Sequence, residues 1–185
     1  MRGVWSPSKC KYYIRRHGRL RFECKTAHSI VEVDVARLYD EGKRYLILDI
    51  DNTVTPWRSM ELEGEVLLWA QNAVETGFGL FILSNNHNKD RSRAMAQRLG
   101  AKWCDTGHKK PSKKAFLAAV EHMGGTVEQT VMIGDQLFSD VKGAKKAGID
   151  GILLDPIAKK EAPITKLLRL AERIYGRKVI FSKNK

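Results

Sequence analysis

The sequence predicts an α/β fold built on a doubly wound parallel sheet of five strands. Short apolar runs alternate with segments of helical periodicity, which is the signature of βαβ units. The runs are apolar without a break, as strands covered on both faces are. Acidic and small polar residues gather at the ends of those runs, where open α/β sheets bind their ligands.

The elements follow in order. Val33 to Tyr39 reads as a short helix ended by Gly42, and Tyr45-Leu46-Ile47-Leu48-Asp49-Ile50 as the first buried strand. Val66, Leu67, Trp69, Ala70, Ala73 and Val74 give a helix over 63–76, stopped at Gly77. Leu80 to Leu83 is the second strand, 88–99 a helix ended by Gly100, and Lys102 to Cys104 a short third strand. Pro111 opens the next helix, a position where its missing N–H costs nothing. Thr130 to Ile133 is the fourth strand, 139–147 a helix stopped at Gly148, and Gly151 to Leu154 the fifth strand. A last helix runs from Ile164 to Tyr175. The first thirty residues show no clear periodicity.

The 185 residues suit one domain with a short appendage, divided as a basic segment 1–29 and a domain 30–185 that ends in a basic helix and tail. Hydrophobic residues at 43% exclude wholesale disorder. The absence of any apolar run near roughly 18 residues excludes a spanning helix. Three cysteines without a CxxC pair fit a reducing compartment, and the first residues lack the apolar stretch of a secretory signal, so a cytoplasmic protein is expected. Cys104 and His108 have a spacing that zinc uses, but two further ligands are missing.

The net charge of +12 is unevenly spread. Residues 1–30 and 157–185 each carry +7, and 31–156 carry −2. Basic ends suit an anionic partner, either a membrane surface or nucleic acid; alternatively they serve solubility alone. In the last helix Ile164, Leu167, Leu168, Ala171, Ile174 and Tyr175 share a face, which covers the sheet or lies on a membrane; both hold if that face packs inward and the basic face meets lipid headgroups.

Each strand end then contributes one chemical group. The first strand ends in Asp49 and Asp51, two residues apart, so both carboxylates point to the same side. Such a pair calls for a cation, and Mg²⁺ suits oxygen ligands. Ser84-Asn85-Asn86 ends the second strand with a hydroxyl and main-chain N–H groups for a phosphate oxygen. Lys110, just before Pro111, offers a point positive charge. Gly134-Asp135 ends the fourth strand, where the glycine permits a tight turn, and Ser139-Asp140 follows. Trp57, after Pro56, either touches substrate or packs.

Taken singly these groups are ordinary turn and cap formers; their joint order resembles the haloacid dehalogenase (HAD) superfamily of aspartyl-phosphate phosphatases. Leu48-Asp49-Ile50-Asp51-Asn52-Thr53, Ser84-Asn85-Asn86, Lys110-Pro111 and Ile133-Gly134-Asp135-Gln136 with Ser139-Asp140-Val141 resemble the YqeG family of class IIIA members. That family is similar to phosphatidylglycerophosphate phosphatases. The resemblance covers about residues 30–175. Ser139 stands where the family usually has Thr, and Thr106-Gly107-His108-Lys109 is an unusual approach to the lysine; adjacency to Pro111 favours Lys110 over Lys109.

The resemblance implies an HAD-like Rossmannoid phosphatase. Asp49 would be the nucleophile and Asp51 the general acid and base. Asp49, Asp51 (through its main-chain carbonyl) and Asp135 would hold Mg²⁺. Ser84, Asn85 and Lys110 would hold the phosphate, and Asp140 and Thr53 would support these groups from behind. The gaps from Thr53 to Ser84 and from Ser84 to Lys110 each have room for one helix and one strand, so no cap domain is expected. An open site suits a large or surface-bound ester. The expected activity is dephosphorylation of phosphatidylglycerophosphate at the inner face of the membrane, with the protein peripherally attached. The alternatives are a soluble phosphate ester, nucleotide or phosphoprotein as substrate, or an RNA- or ribosome-associated role.

Overall fold

A computed structural model describes residues 8–13, 21–159 and 163–174. One six-stranded sheet runs through it in the order β1-β2-β6-β5-β3-β4. The strands are β1 (Ser8–Tyr13), β2 (Arg21–Ala27), β3 (Tyr45–Leu48), β4 (Gly79–Ile82), β5 (Thr130–Gly134) and β6 (Asp150–Leu154). β2, β6, β5, β3 and β4 are mutually parallel, and β1 alone is antiparallel. Five parallel strands are thus present, but their membership differs from the sequence reading. Lys102 makes only a single bridge to Phe81, so 102–104 is not a strand. Its place in the count goes to β2, which registers Lys25 against Ile152. The 29/30 division falls just after β2, so the basic segment contributes two strands, β1 and β2, to the sheet it precedes.

Side chains alternate across the sheet as a period of two requires. Leu46, Leu48, Val131, Ile133, Leu80 and Ile82 face α1 (Val35–Asp40), α2 (Gly64–Thr76) and α3 (Lys89–Arg98). Ile47, Met132 and Phe81 face α4 (Lys113–Met123) and α5 (Lys142–Lys146). Phe81 and Phe116 are fully buried, and truncating either to Ala costs about 3–5 kcal/mol.

The helix ends follow local chemistry. Asp34 and Asn88 cap α1 and α3 by accepting from the N–H groups of Arg37 and Arg91. Gly77 closes α2 at φ 106°, a conformation that favours glycine. The helix expected over 139–147 begins earlier, as one wide π turn over Leu137–Val141 that leads into α5. The last helix, α6 (Pro163–Ile174), lies against that π turn: buried Glu172 accepts the N–H of Leu137 at 2.7 Å. The apolar face of α6 is not wholly turned inward, since Leu167 is 63% exposed, and Leu170 beside that face is 55% exposed. Among the described residues no helix is long and apolar enough to cross a membrane.

Candidate active site

The carboxyl ends of β3, β4 and β5 converge on one cavity of about 490 Å³. Its wall includes Asp49, Asp51, Ser84, Lys110, Gln136 and Thr165. Asp49 extends the ladder by one bond, its N–H donating to the Ile133 carbonyl at 3.1 Å. The chain then reverses through Asn52, held at φ 60°. The Asn52 carbonyl and side-chain oxygen accept the N–H groups of Ile157 and Ala158, which ties this turn to the segment after β6.

Asp49, Asp135 and Asp140 are buried together, with one carboxylate oxygen from each within 4.8 Å of the others. Lys110, equally buried, sits among them. Its Nζ lies 2.6 Å from Asp49 Oδ1 and 2.7 Å from Asp140 Oδ1. Asn85 positions the lysine by gripping its main chain: the Asn85 amide donates to the Lys110 carbonyl and accepts the Lys110 N–H, both at 2.8 Å. Lys109 is exposed, with its ammonium beside the His87 ring, so geometry separates the two lysines. Thr53 Oγ1 accepts the Asp135 N–H at 3.1 Å and faces its carboxylate at 3.4 Å. Gly134 serves closeness rather than turning, because a Cβ there would collide with the Asp140 carboxylate. That carboxylate in turn accepts the Gln136 N–H at 3.0 Å.

Charge decides what such a cluster can hold. Burial pushes the pKa of Asp49 up to about 8; Lys110 opposes the shift, while Asp140 and Asp135 add to it. Burial also works against the charge of Lys110, but Asp140 and Asp49 outweigh it and hold the ammonium protonated. Three carboxylates against one ammonium leave two negative charges unbalanced when all are ionised. Asp49 Oδ2 is buried with no hydrogen-bond partner. Both observations fit a divalent cation, which supplies two charges and prefers oxygen.

Asp51 does not join this cluster. Both carboxylates face the one cavity, as expected, but Asp51 has partners of its own: Asp51 Oδ1 pairs with Arg91 Nη2 at 3.0 Å and accepts the Arg58 N–H at 2.9 Å. Ser84 lies at the cavity wall, its Oγ accepting the Asn86 N–H at 3.3 Å. Trp57 also lines the cavity, with the Arg58 guanidinium 4.5 Å from its ring centre. Between Thr53 and Ser84 the chain holds only a loop, α2 and β4, and between Ser84 and Lys110 only α3 and one bridge, so no cap domain is inserted. The sequence reading missed Arg91. Its signal was a charged residue on the apolar stripe of a helix, one turn before Met95 and beside Ser92 and Ala96, all buried.

A family model described as haloacid dehalogenase-like hydrolase matches residues 4–148. The chain belongs to the haloacid dehalogenase-like hydrolases. Probable phosphatase YqeG of Bacillus subtilis is 32% identical over 145 residues, a stretch covering 78% of this hydrolase and 83% of YqeG. Phosphatidylglycerophosphate phosphatase 1 of Arabidopsis thaliana is 23% identical over 139 residues, covering 71% of this chain and 40% of that protein. A crystal structure of an uncharacterized protein from Listeria monocytogenes serotype 4b shares the fold, with a TM-score of 0.53 at 16% identity over 72% of this chain and 99% of its own. This haloacid dehalogenase-like hydrolase is a phosphatase, and its substrate is a phosphate ester.

Proposed function

We propose that the protein is a Mg²⁺-dependent phosphatase that forms an aspartyl phosphate on Asp49 and acts on phosphatidylglycerophosphate at a membrane surface. The observation that carries the chemistry is the buried Asp49 carboxylate, with Oδ1 held by Lys110 and Oδ2 without a partner.

Asp49 attacks phosphorus; a P–O bond forms to the carboxylate as the ester P–O bond breaks, and Asp51 protonates the departing alkoxide. A carboxylate leaves phosphorus more readily than an alkoxide does, so the second step is easier. Asp51, now ionised, takes a proton from water, and the water oxygen displaces Asp49 from phosphorus to release inorganic phosphate. Ser84 and the main-chain N–H of Asn85 hold the phosphoryl oxygens, and Lys110 adds a positive charge where negative charge accumulates. Asp140 fixes that lysine, and Thr53 fixes Asp135. Mg²⁺ held by Asp49, Asp135 and the Asp51 carbonyl would neutralise the charge that otherwise keeps a phosphate dianion away from a carboxylate.

Three features support a lipid substrate. The site lacks a cap, so a large ester can reach it. Thr165 of α6 lines the cavity, and Lys166, Leu167 and Leu170 of the same helix are exposed. The two ends of the chain each carry +7, and each basic residue near an anionic bilayer contributes about 1 kcal/mol. The name of the Arabidopsis relative, a phosphatidylglycerophosphate phosphatase, points the same way.

The test is phosphate release with and without Mg²⁺ from phosphatidylglycerophosphate in vesicles, glycerol 3-phosphate and p-nitrophenyl phosphate. Mg²⁺-dependent preference for the lipid supports the reading. Preference for a soluble ester moves the substrate to solution. Turnover surviving in folded Asp49→Asn protein overturns the mechanism.

A further inference from the structure

Arg91 is buried, cationic and unused by the chemistry above. It sits in the first turn of α3 with 6% of its side chain exposed. Burying a guanidinium is costly unless its N–H groups find acceptors. Nε and Nη2 both donate to the Ser59 carbonyl, at 3.1 and 2.8 Å, and Nη2 lies 3.0 Å from Asp51 Oδ1. Nη1 is buried without a partner. The fork therefore spans two groups. One is the loop that follows Asp51; the other is the Asp51 carboxylate itself.

The same carboxylate oxygen also accepts the Arg58 N–H at 2.9 Å. Arg58 is one residue before Ser59, whose carbonyl the fork holds. Asp51, its following loop and α3 are thus locked in a closed triangle. The consequence is chemical. A main-chain N–H donates to Oδ1, and a guanidinium that can only donate lies 3.0 Å from it, so a proton on Oδ1 would face a donor and a like charge with nothing to accept it. A protonated Asp51 must carry its proton on Oδ2. An ordinary carboxylic acid can place its proton on either oxygen and rotate; this one is fixed in both respects.

We propose that Arg91 is the positioning residue for proton transfer, confining the proton of Asp51 to Oδ2 and holding that oxygen in register with the loop carrying Trp57 and Arg58. The inference rests on Asp51 acting as acid and base. A residue that only tethered the loop would affect every substrate alike. One that acts through Asp51 matters most where the leaving group needs a proton. A phenolate departs with little help; a glycerol alkoxide does not.

The experiment compares glycerol 3-phosphate with p-nitrophenyl phosphate in Arg91→Gln, Asp51→Asn and the double variant, with folding checked by thermal melts. For Arg91→Gln, kcat on the alkyl ester should fall about 100-fold, the scale of a misplaced catalytic group, and KM should stay within about twofold. On the aryl ester kcat should fall less than about threefold. In the Asp51→Asn background Arg91→Gln should produce no further change in the ratio of the two rates. Equal losses on both esters for Arg91→Gln, with a selective loss for Asp51→Asn, overturn the inference alone. Equal losses for Asp51→Asn overturn the acid assignment and this inference with it. If Arg91→Gln does not fold, Arg91→Lys decides. A single ammonium keeps the charge but loses the fork, so a smaller loss confined to the alkyl ester supports the proposal, and unselective loss or none overturns it.

Discussion

The ammonium of Lys110 meets the Asp49 carboxylate at 2.6 Å, with both side chains at most 5% exposed. The same ammonium reaches Asp140 at 2.7 Å. One cation therefore holds two buried anions apart and together, and most of the site's behaviour without metal should follow from it.

Lys110→Met removes that cation while keeping the volume. Leaving buried carboxylates unpaired costs about 3–5 kcal/mol. Urea unfolding without metal should show a loss of that order, and saturating Mg²⁺ should recover part of it. Unchanged stability would mean that the carboxylates are already neutral in the folded protein.

The pH dependence has a definite sign. The pKa of Asp49 is about 8 in the folded protein against 3.8 ordinarily. A raised carboxyl pKa stabilises the fold below the ordinary value, and that contribution is lost as pH rises through the folded value. The metal-free protein should therefore lose stability between about pH 4 and 8. Mg²⁺ requires the ionised carboxylate, so the rise in Tm it causes should grow from pH 6 to 8 and then level off. Differential scanning fluorimetry over that range checks this; a Mg²⁺ shift independent of pH would contradict it.

Gly134→Ala puts a methyl group where the Asp140 carboxylate sits. Asp140 must move, taking its contacts to Lys110 and the Gln136 N–H with it. The expected cost is about 1–3 kcal/mol, with a fall in kcat larger than that in Mg²⁺ affinity. Wild-type stability and turnover in this variant would show that Asp140 has freedom the packing denies it.

Leu167→Gln with Leu170→Gln removes exposed apolar surface from α6 without touching the sheet. Binding to vesicles containing anionic lipid should fall severalfold, and p-nitrophenyl phosphate turnover should stay within about twofold. Sedimentation with anionic and neutral vesicles at rising salt measures it, with RNA as competitor. Neutralising basic residues one by one is a better complement than removing 1–29, because that deletion strips β2 from the sheet.

The parts of the fold that bury apolar runs on both faces were legible in the sequence. Leu46, Met132 and Leu80 belong to runs too continuous to be anything but interior strands. Asp49 and Asp135 were legible because strand ends concentrate acids, and Lys110 and Asp140 because they follow those acids in the order of the motifs. What could not be read depended on partners distant in sequence. Lys25 pairs with Ile152, and nothing in the basic stretch around it announces a strand. Lys102 failed as a strand because only Phe81 meets it. The pairing of Asp51 with Arg91 required knowing that α3 packs beside the turn after β3. The burial of Glu172 required knowing that an orphan N–H at Leu137 waits for it.

The registration of β2 against β6 sets a schedule for folding. As the chain leaves the ribosome, β2 emerges first among the parallel strands, yet its partner is the last of them. The central strands β3, β4 and β5 can assemble while β6 is still unmade. β2 meanwhile has only β1 to pair with, and a lone two-stranded hairpin is marginal in water. Once β6 docks beside β5, its outer edge is open until the waiting hairpin closes it. The hairpin, made before the strands it joins, is thus the last of them to be fastened into the sheet.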